Sequence, residues 1–313
     1  MRFFRKPKKK DGWLTLAIQG DGIAAVSMER VPGAQPLVRF AHFFPGKVDP
    51  ELLEKAAREV HAASYRCTTL LGPGEYQLLN VEAPNVPAQE LKTAVRWRLK
   101  DMLDFPVDEA TIDVLDIPLD QSALGRVQRT VFAVAARNAV VGARQKLFTA
   151  AKVDLSVIDI QEMAQRNISA MLEPEGRGVA MLCFGSDGGL LTVSYRGELF
   201  LSRRLDVTLE QLLETEHERK HSSFDKITLE LQRSLDHFER QFSFISVSRL
   251  VLGPSAIVGL DEYLSSNLYM PIDTLDLATV FDLGQVPSLA DKQLQQRFFL
   301  ALGAACRDEE AAR

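Results

Sequence analysis

One pattern occurs twice in this chain, and it limits the fold more than any single motif does. Near the start, two strand-like runs, Trp13 to Gln19 and Ile23 to Arg30, are joined at Gly20-Asp21-Gly22, and a third follows at Leu37 to Phe44. Past the midpoint, Val179–Phe184 and Leu190–Tyr195 flank Gly185-Ser186-Asp187-Gly188-Gly189, and after a turn at Gly197 comes Glu198–Leu205. Glycine beside aspartate between two apolar runs is a hairpin signal. Two copies of a three-stranded meander in one chain predict two related lobes. The length of 313 residues suits this, because it is twice the roughly 150 residues that one core usually serves. The run Glu173-Pro-Glu-Gly-Arg-Gly178 is the predicted hinge, since proline and glycine interrupt any regular element there.

The remaining segments fill out each copy. Asp49-Pro50 opens a helix, with Asp49 as cap and proline where its missing N–H costs nothing. A strand at Thr68–Leu71 ends at Gly72-Pro-Gly74. Next comes a self-contained α+β unit: a strand Tyr76–Val81, a helix Val86 to Leu103 with Leu91, Val95, Leu99 and Met102 inward, strands Thr111–Ile117 and Arg126–Ala135, and a helix Asn138 to Ala151. A strand Val157–Ile160 and a helix to Leu172 return to the first lobe. In the second half, residues 214 to 223 read as an exposed polar loop. A long amphipathic helix is predicted from Asp225 to Phe244, a strand at Arg249–Leu252, and helices at Gly259–Leu268 and Phe298–Cys306. The expected division is a basic tail at 1–10, a first lobe at 11–75 and 154–173, an inserted subdomain at 76–153 and a second lobe at 178–313.

Composition excludes several classes. The net charge of -5 argues against a nucleic-acid binder. No apolar run approaches the roughly 20 residues needed to span a bilayer, and the basic start lacks the apolar stretch of a signal peptide. The three cysteines, Cys67, Cys183 and Cys306, are far apart and unpaired in pattern, which suits a reducing cytoplasm.

Four stretches carry a resemblance to a known group. They are the basic Phe4-Arg5-Lys6 start before a meander; Trp97-Arg-Leu-Lys-Asp-Met-Leu-Asp-Phe-Pro106 leading into Ile112-Asp-Val-Leu-Asp116; Val131-Phe-Ala-Val-Ala-Ala-Arg137 before a helix and Val157-Ile-Asp-Ile160; and Ser234-Leu-Asp-His-Phe-Glu239, then Arg249-Leu-Val-Leu-Gly253, then Gly259-Leu-Asp-Glu-Tyr-Leu264. In this order and spacing the chain resembles the actin-like ATPase superfamily. Within it, the likeness is to the PilM group of pilus assembly proteins, which includes MshI of the MSHA pilus. The resemblance implies an α/β, actin-like (RNase H-like) fold of two lobes, with an inserted 1C subdomain as in PilM and FtsA. It implies a scaffold at the cytoplasmic face of the inner membrane rather than an enzyme. The expected partner is the cytoplasmic peptide of a PilN- or MshJ-like membrane protein, with the pilus motor ATPase as a further one.

The resemblance also points to a nucleotide site, in which two Gly-rich turns cradle phosphates and strand aspartates hold Mg²⁺ through water. Here the turns are Gly20, Asp21, Gly22 and Gly185, Ser186, Asp187, Gly188, with Gly253 and Ser255 on the base side. Ala17 and Cys183 stand where the metal-binding acids are expected, and Ala24 or Ala25 near the place of a lysine. Two readings stay open: plain hairpins in a degenerate cleft, or retained ATP and Mg binding with Asp21 and Asp187 substituting from the turns. An active ATPase is the alternative function.

Three other features compete for attention. His217-Glu-Arg-Lys-His221 matches H-E-x-x-H, the zinc hydrolase pattern, with Glu218 as base and Glu230 or Glu239 as candidate third ligands. Its charged surroundings favour a solvated loop over a metal site. The start holds six basic residues with Phe3 and Phe4, which suits either weak contact with an anionic membrane surface or a solubilising tail. Trp97 among Arg96, Arg98 and Lys100 reads as an interface anchor or as packing on the inserted sheet. No local signature links a Ser, Cys and His into a nucleophile, so no catalytic residue is assigned.

Overall fold

The duplicated meander becomes two sheets of the same design. In a computed structural model, which describes residues 12–118 and 129–307, the first five-stranded sheet has the order β3-β2-β1-β4-β8 and the second β11-β10-β9-β12-β13. The basic tail at 1–10 lies outside the described residues. In the first sheet β1 (Trp13–Gln19), β2 (Gly22–Glu29) and β3 (Leu37–Pro45) are antiparallel. Then β4 (Arg66–Leu70) and β8 (Leu155–Asp159) run parallel to β1. The second sheet repeats this with β9 (Gly178–Gly185), β10 (Gly188–Tyr195), β11 (Glu198–Leu205), β12 (Val247–Leu252) and a short edge strand β13 (Ile272–Thr274). The inserted unit carries its own sheet, with β7 (Thr130–Arg137) between β5 (Tyr76–Glu82) and β6 (Ala110–Asp116).

Helices cover both faces of the first sheet, so β2 is apolar at nearly every position. Ile23 and Ala25 face the outer core with α1 (Pro50–Glu59) and Phe148 of α3 (Asn138–Ala150), while Ala24, Val26 and Met28 face the inner core. Asp49 caps α1 through Leu52 N–H at 2.8 Å, with Pro50 in the first turn. In the inserted unit, α2 (Ala88–Arg98) lays Leu91 and Val95 on the small sheet. The second lobe adds α5 (Leu209–Leu213), α6 (His217–Gln241) and α7 (Leu260–Asn267).

Two helices lie between the sheets and make them one body. Ala164 and Ile168 of α4 (Gln161–Ser169) and Phe298, Phe299 and Leu302 of α8 (Lys292–Ala305) share a core with both sheets. They cross closely at Gly303, where an added Cβ would lie 2.1 Å from the Ala164 carbonyl oxygen. The last helix, assigned to the second lobe, packs against β1, β2 and β4 of the first. The connection at 173–177 is not the sole link between lobes, because this apolar core is continuous across them.

Three predicted elements differ in extent. The helix expected over 86–103 ends at Arg98 and tightens into a 3-10 turn, which leaves Met102 exposed rather than inward. The long helix begins at His217, not Asp225. The final helix begins at Lys292, where the Asp291 side chain accepts from Gln293 and Leu294 N–H. At the starts of the two later helices the local pattern is polar, and capping or tertiary packing sets the boundary.

Candidate functional site

A cleft of about 690 Å³ opens between the sheets at the ends of β1 and β9. Both hairpin turns border it, together with residues 70–73 after β4, the start of α4, α5 and one face of α8. Gly20, Asp21, Gly185, Ser186, Asp187 and Gly188 all line it. Gly22, Gly253 and Ser255 do not; Pro254 and Ala256 line it instead.

The glycines at the ends of the turns have a packing reason. A Cβ on Gly22 would lie 2.2 Å from the Phe44 carbonyl oxygen, and one on Gly188 would lie 2.4 Å from that of Leu205. Each allows the third strand of its meander to close on the second. Gly253 has a similar role against a side chain: its Cβ position is 2.2 Å from the Cys183 Sγ. Burial pushes the Cys183 thiol well above its usual range, so it is held neutral in this contact. Ala17 is buried at the cleft floor, and Ala24 and Ala25 are buried on opposite faces of β2. Ala17, Ala24, Ala25 and Cys183 offer no side-chain oxygen that could hold a hard cation.

Each turn aspartate is engaged by an arginine. Arg297 of α8 reaches Asp21 with Nη1 at 3.0 and 2.9 Å from the two carboxylate oxygens, and its guanidinium lies over the Phe43 ring at 4.0 Å. Gln19 locks this arginine further, donating to the Arg297 carbonyl and accepting from its Nη1. On the other side Arg204 of β11 donates to Asp187 at 3.0 Å. Its second nitrogen reaches Glu162 at 3.1 Å and the Tyr76 hydroxyl at 3.0 Å. Burial opposes the Arg204 charge, but Glu162, Tyr76 and Asp187 together outweigh it and raise its pKa. The charged residues that line the cleft thus cancel, two aspartates against two arginines. The cleft lining therefore brings no net charge toward a polyanion, and a cation at Asp21 or Asp187 would compete with the arginine already paired there.

The residues that sequence reading missed are these partners: Tyr76, Glu162, Arg204 and Arg297. Gln165 is another. Buried on α4 and bordering the cleft, it donates to the Met181 and Leu190 carbonyls and to Thr192 Oγ1. Long-range partners of this kind leave no local signal. Only the position of Arg204 at the end of a strand already expected to border the turn could have pointed to it.

The H-E-x-x-H segment is helical, which corrects the loop reading of residues 217–223. His217 and His221 lie one turn apart with ring centroids at 4.2 Å, and His221 packs edge-on against Tyr263 at 5.5 Å. Among the described residues, no group of three or more His, Cys, Asp or Glu is placed to hold a metal ion. Trp97 does not pack on the inserted sheet: it is 71% exposed on the outer side of α2.

No protein-family model matches the chain, and no curated protein matches it in sequence. Solved structures do match in shape. A chain of the PilM-PilN type IV pilus biogenesis complex superposes with a TM-score of 0.74 at 19% identity, over 94% of this chain and 97% of the other. A Bacteroides thetaiotaomicron protein with an actin-like ATPase fold matches over 93% of this chain and 100% of the other, at 9% identity and a TM-score of 0.49. The cytoplasmic domain of EpsL, an inner-membrane component of the type II secretion system of Vibrio cholerae, matches over 66% and 76% at 16% identity and a TM-score of 0.42. The fold is the actin-like one, and the match to the first of these spans nearly the whole of both chains.

Proposed function

We propose that this chain is a non-catalytic actin-like scaffold of type IV pilus biogenesis. It holds the cytoplasmic segment of a PilN-like inner-membrane protein. One observation carries the reading: the likeness to a chain of the PilM-PilN complex extends over 94% of this chain and 97% of the other. Fold alone does not fix function. The four sequence stretches that resemble the PilM group add to it independently, and they favour a pilus of the MSHA type with an MshJ-like partner. The protein would work at the cytoplasmic face of the inner membrane, with the pilus motor ATPase as a further contact. Among the described residues no helix is long and apolar enough to cross a membrane. Attachment through a partner fits that finding.

The scaffold reading treats the cleft as a degenerate nucleotide site. Ala17 and Cys183 supply no metal ligand, and the turn aspartates are spent on arginines. A second reading keeps ATP binding without hydrolysis, because a cleft of about 690 Å³ remains open between the two turns. Calorimetric titration separates the two. The scaffold reading expects saturable binding of a synthetic peptide matching the partner's cytoplasmic segment, and no heat from ATP with Mg²⁺. Saturable ATP binding moves the protein to a nucleotide-gated scaffold. A protein that ignores every such peptide is not a scaffold of this type.

A further inference from the structure

The inserted subdomain meets the second lobe through an apolar contact and a polar one. One contact is apolar. Ile117 and Phe132, on the face of the small sheet away from α2, are buried in the cluster that contains Leu205, Val207 and Phe224 of the second lobe. The other is polar and centres on Arg204. Its Nη2 donates to the hydroxyl of Tyr76, the first residue of β5, at 3.0 Å, and to Glu162 of α4 at 3.1 Å. Tyr76 in turn donates to the other Glu162 oxygen at 2.5 Å, and its oxygen accepts from the Gln161 N–H at 3.3 Å. Glu162 is 2% exposed, so its charge has little solvent to lean on and depends on these two donors. The remaining arm of Arg204 holds Asp187 in the β9–β10 turn.

The residue before Tyr76 is fixed to α3, whose Phe148 packs in the outer core of the first sheet. Glu75 takes both of its oxygens to Arg144 Nη2, at 2.8 and 2.6 Å, and accepts from Gly72 N–H at 2.6 Å. Arg144 also donates to the Leu70 carbonyl at 3.1 Å. The root of the subdomain is therefore anchored by Glu75, while the adjacent side chain reaches across to the second lobe. A single peptide step separates the fixed point from the one that can let go.

We propose that Arg204 is the pin of an inter-lobe latch that couples the inserted subdomain to the cleft. Engaged, it ties β5, α4 and the β9–β10 turn into one unit. Disengaged, it leaves, among the described residues, the Ile117–Phe132 face to hold the subdomain to the second lobe. The coupling is reciprocal, since any state of the Asp187 turn that withdraws Arg204 also frees Tyr76, and the converse. This goes beyond the scaffold reading and does not rest on it, because the latch needs neither nucleotide nor partner to operate.

The test is a distance measurement on the full chain. Cysteines introduced at the exposed positions Thr93 on α2 and Glu239 on α6 (Thr93→Cys, Glu239→Cys) carry spin labels, and pulsed electron resonance reads their separation. The native Cys67 and Cys306 are buried, and Cys183 has its thiol neutral and packed against Gly253, so labelling favours the new sites. The parent protein should give one narrow distribution. Arg204→Gln should give a longer and broader one, and Tyr76→Phe a shift of the same sign and smaller size. A protein with Arg204→Gln that loses its circular dichroism leaves the decision to Tyr76→Phe, which removes one oxygen and no bulk. Distributions that match the parent in every folded variant would overturn the latch, with the apolar face then sufficient by itself.

Discussion

The two hairpin turns occupy equivalent places in the duplicated meanders, yet they live in different electrostatic settings. Each is a two-residue connection, Gly20-Asp21 and Ser186-Asp187, and each is followed by a glycine that no other residue could replace against the third strand. Each aspartate meets an arginine. The Asp21–Arg297 pair is open to solvent, with the aspartate side chain 60% exposed, and its arginine is steadied by stacking on Phe43. The Asp187–Arg204 pair is only partly exposed, and its arginine continues into a buried carboxylate and a tyrosine from the inserted subdomain. The backbone of a turn is set by its own few residues. What the turn is worth, and what it is connected to, is set by residues far away in the chain.

The largest test of that comparison concerns what the turns share. Gly22→Ala and Gly188→Ala each force a methyl group into a carbonyl oxygen of the third strand, at 2.2 and 2.4 Å. Overpacking and a strained backbone should together cost about 3–5 kcal/mol, measured by urea unfolding. Gly20→Ala is the control, since nothing lies within 4 Å of its Cβ position, and it should stay within about 0.5 kcal/mol of the parent. If Gly22→Ala and Gly188→Ala behave like Gly20→Ala, the close approach of the third strands is not real.

The next test divides the turns. Glu162→Ala removes the buried carboxylate, so the Tyr76 hydroxyl loses its acceptor and Arg204 Nη2 keeps only the Tyr76 oxygen. Breaking a buried pair costs about 3–5 kcal/mol, and Asp187 still compensates part of the Arg204 charge, so about 2–3 kcal/mol is expected. Arg297→Ala removes an exposed ion pair and a cation–π contact, for about 1 kcal/mol in all. Equal losses in thermal or urea unfolding would erase the distinction between the two sides.

How much of this the sequence carried depends on the range of the interaction. The meanders, their turns and the Asp49-Pro50 helix start were legible, because strand alternation, turn residues and caps are local. The start of α6 was not: the polar residues 217–223 hide a helical turn that is held by packing of His221 and Phe224 on Tyr263. The neighbours of the last helix were not legible, since nothing in residues 292–305 says that they will pack against both sheets. At the site, six of the nine residues proposed from the turns and the Gly253 region do border the cleft. Their arginine partners lie 17 positions from Asp187 and 276 from Asp21, and no local pattern reports such a pairing.

The smallest effect gives the sharpest reading of the two settings. Asp21→Asn and Asp187→Asn each keep the side-chain shape and remove one charge. An exposed pair contributes about 0–1 kcal/mol and is screened by salt. Asp21→Asn should therefore lose no more than about 0.5 kcal/mol at low ionic strength. In 1 M NaCl, where the screening length is roughly 3 Å, that loss should vanish. Asp187 sits against an arginine already committed to a buried carboxylate, and its own side chain is 25% exposed. Its removal should cost about 1–2 kcal/mol, below the roughly 1.5–3 kcal/mol of a fully buried charge-assisted hydrogen bond because the pair is partly exposed, and most of that should survive the salt because less solvent reaches it than reaches Asp21. Two parallel urea series, with and without salt, decide it. A salt-sensitive loss at both positions means the second turn is as open as the first, and the buried network behind Arg204 does not reach it. A loss at Asp187 that persists in salt means that the turn is wired to α4 and the inserted subdomain, and that its aspartate belongs to the lobe contact before it belongs to any ligand.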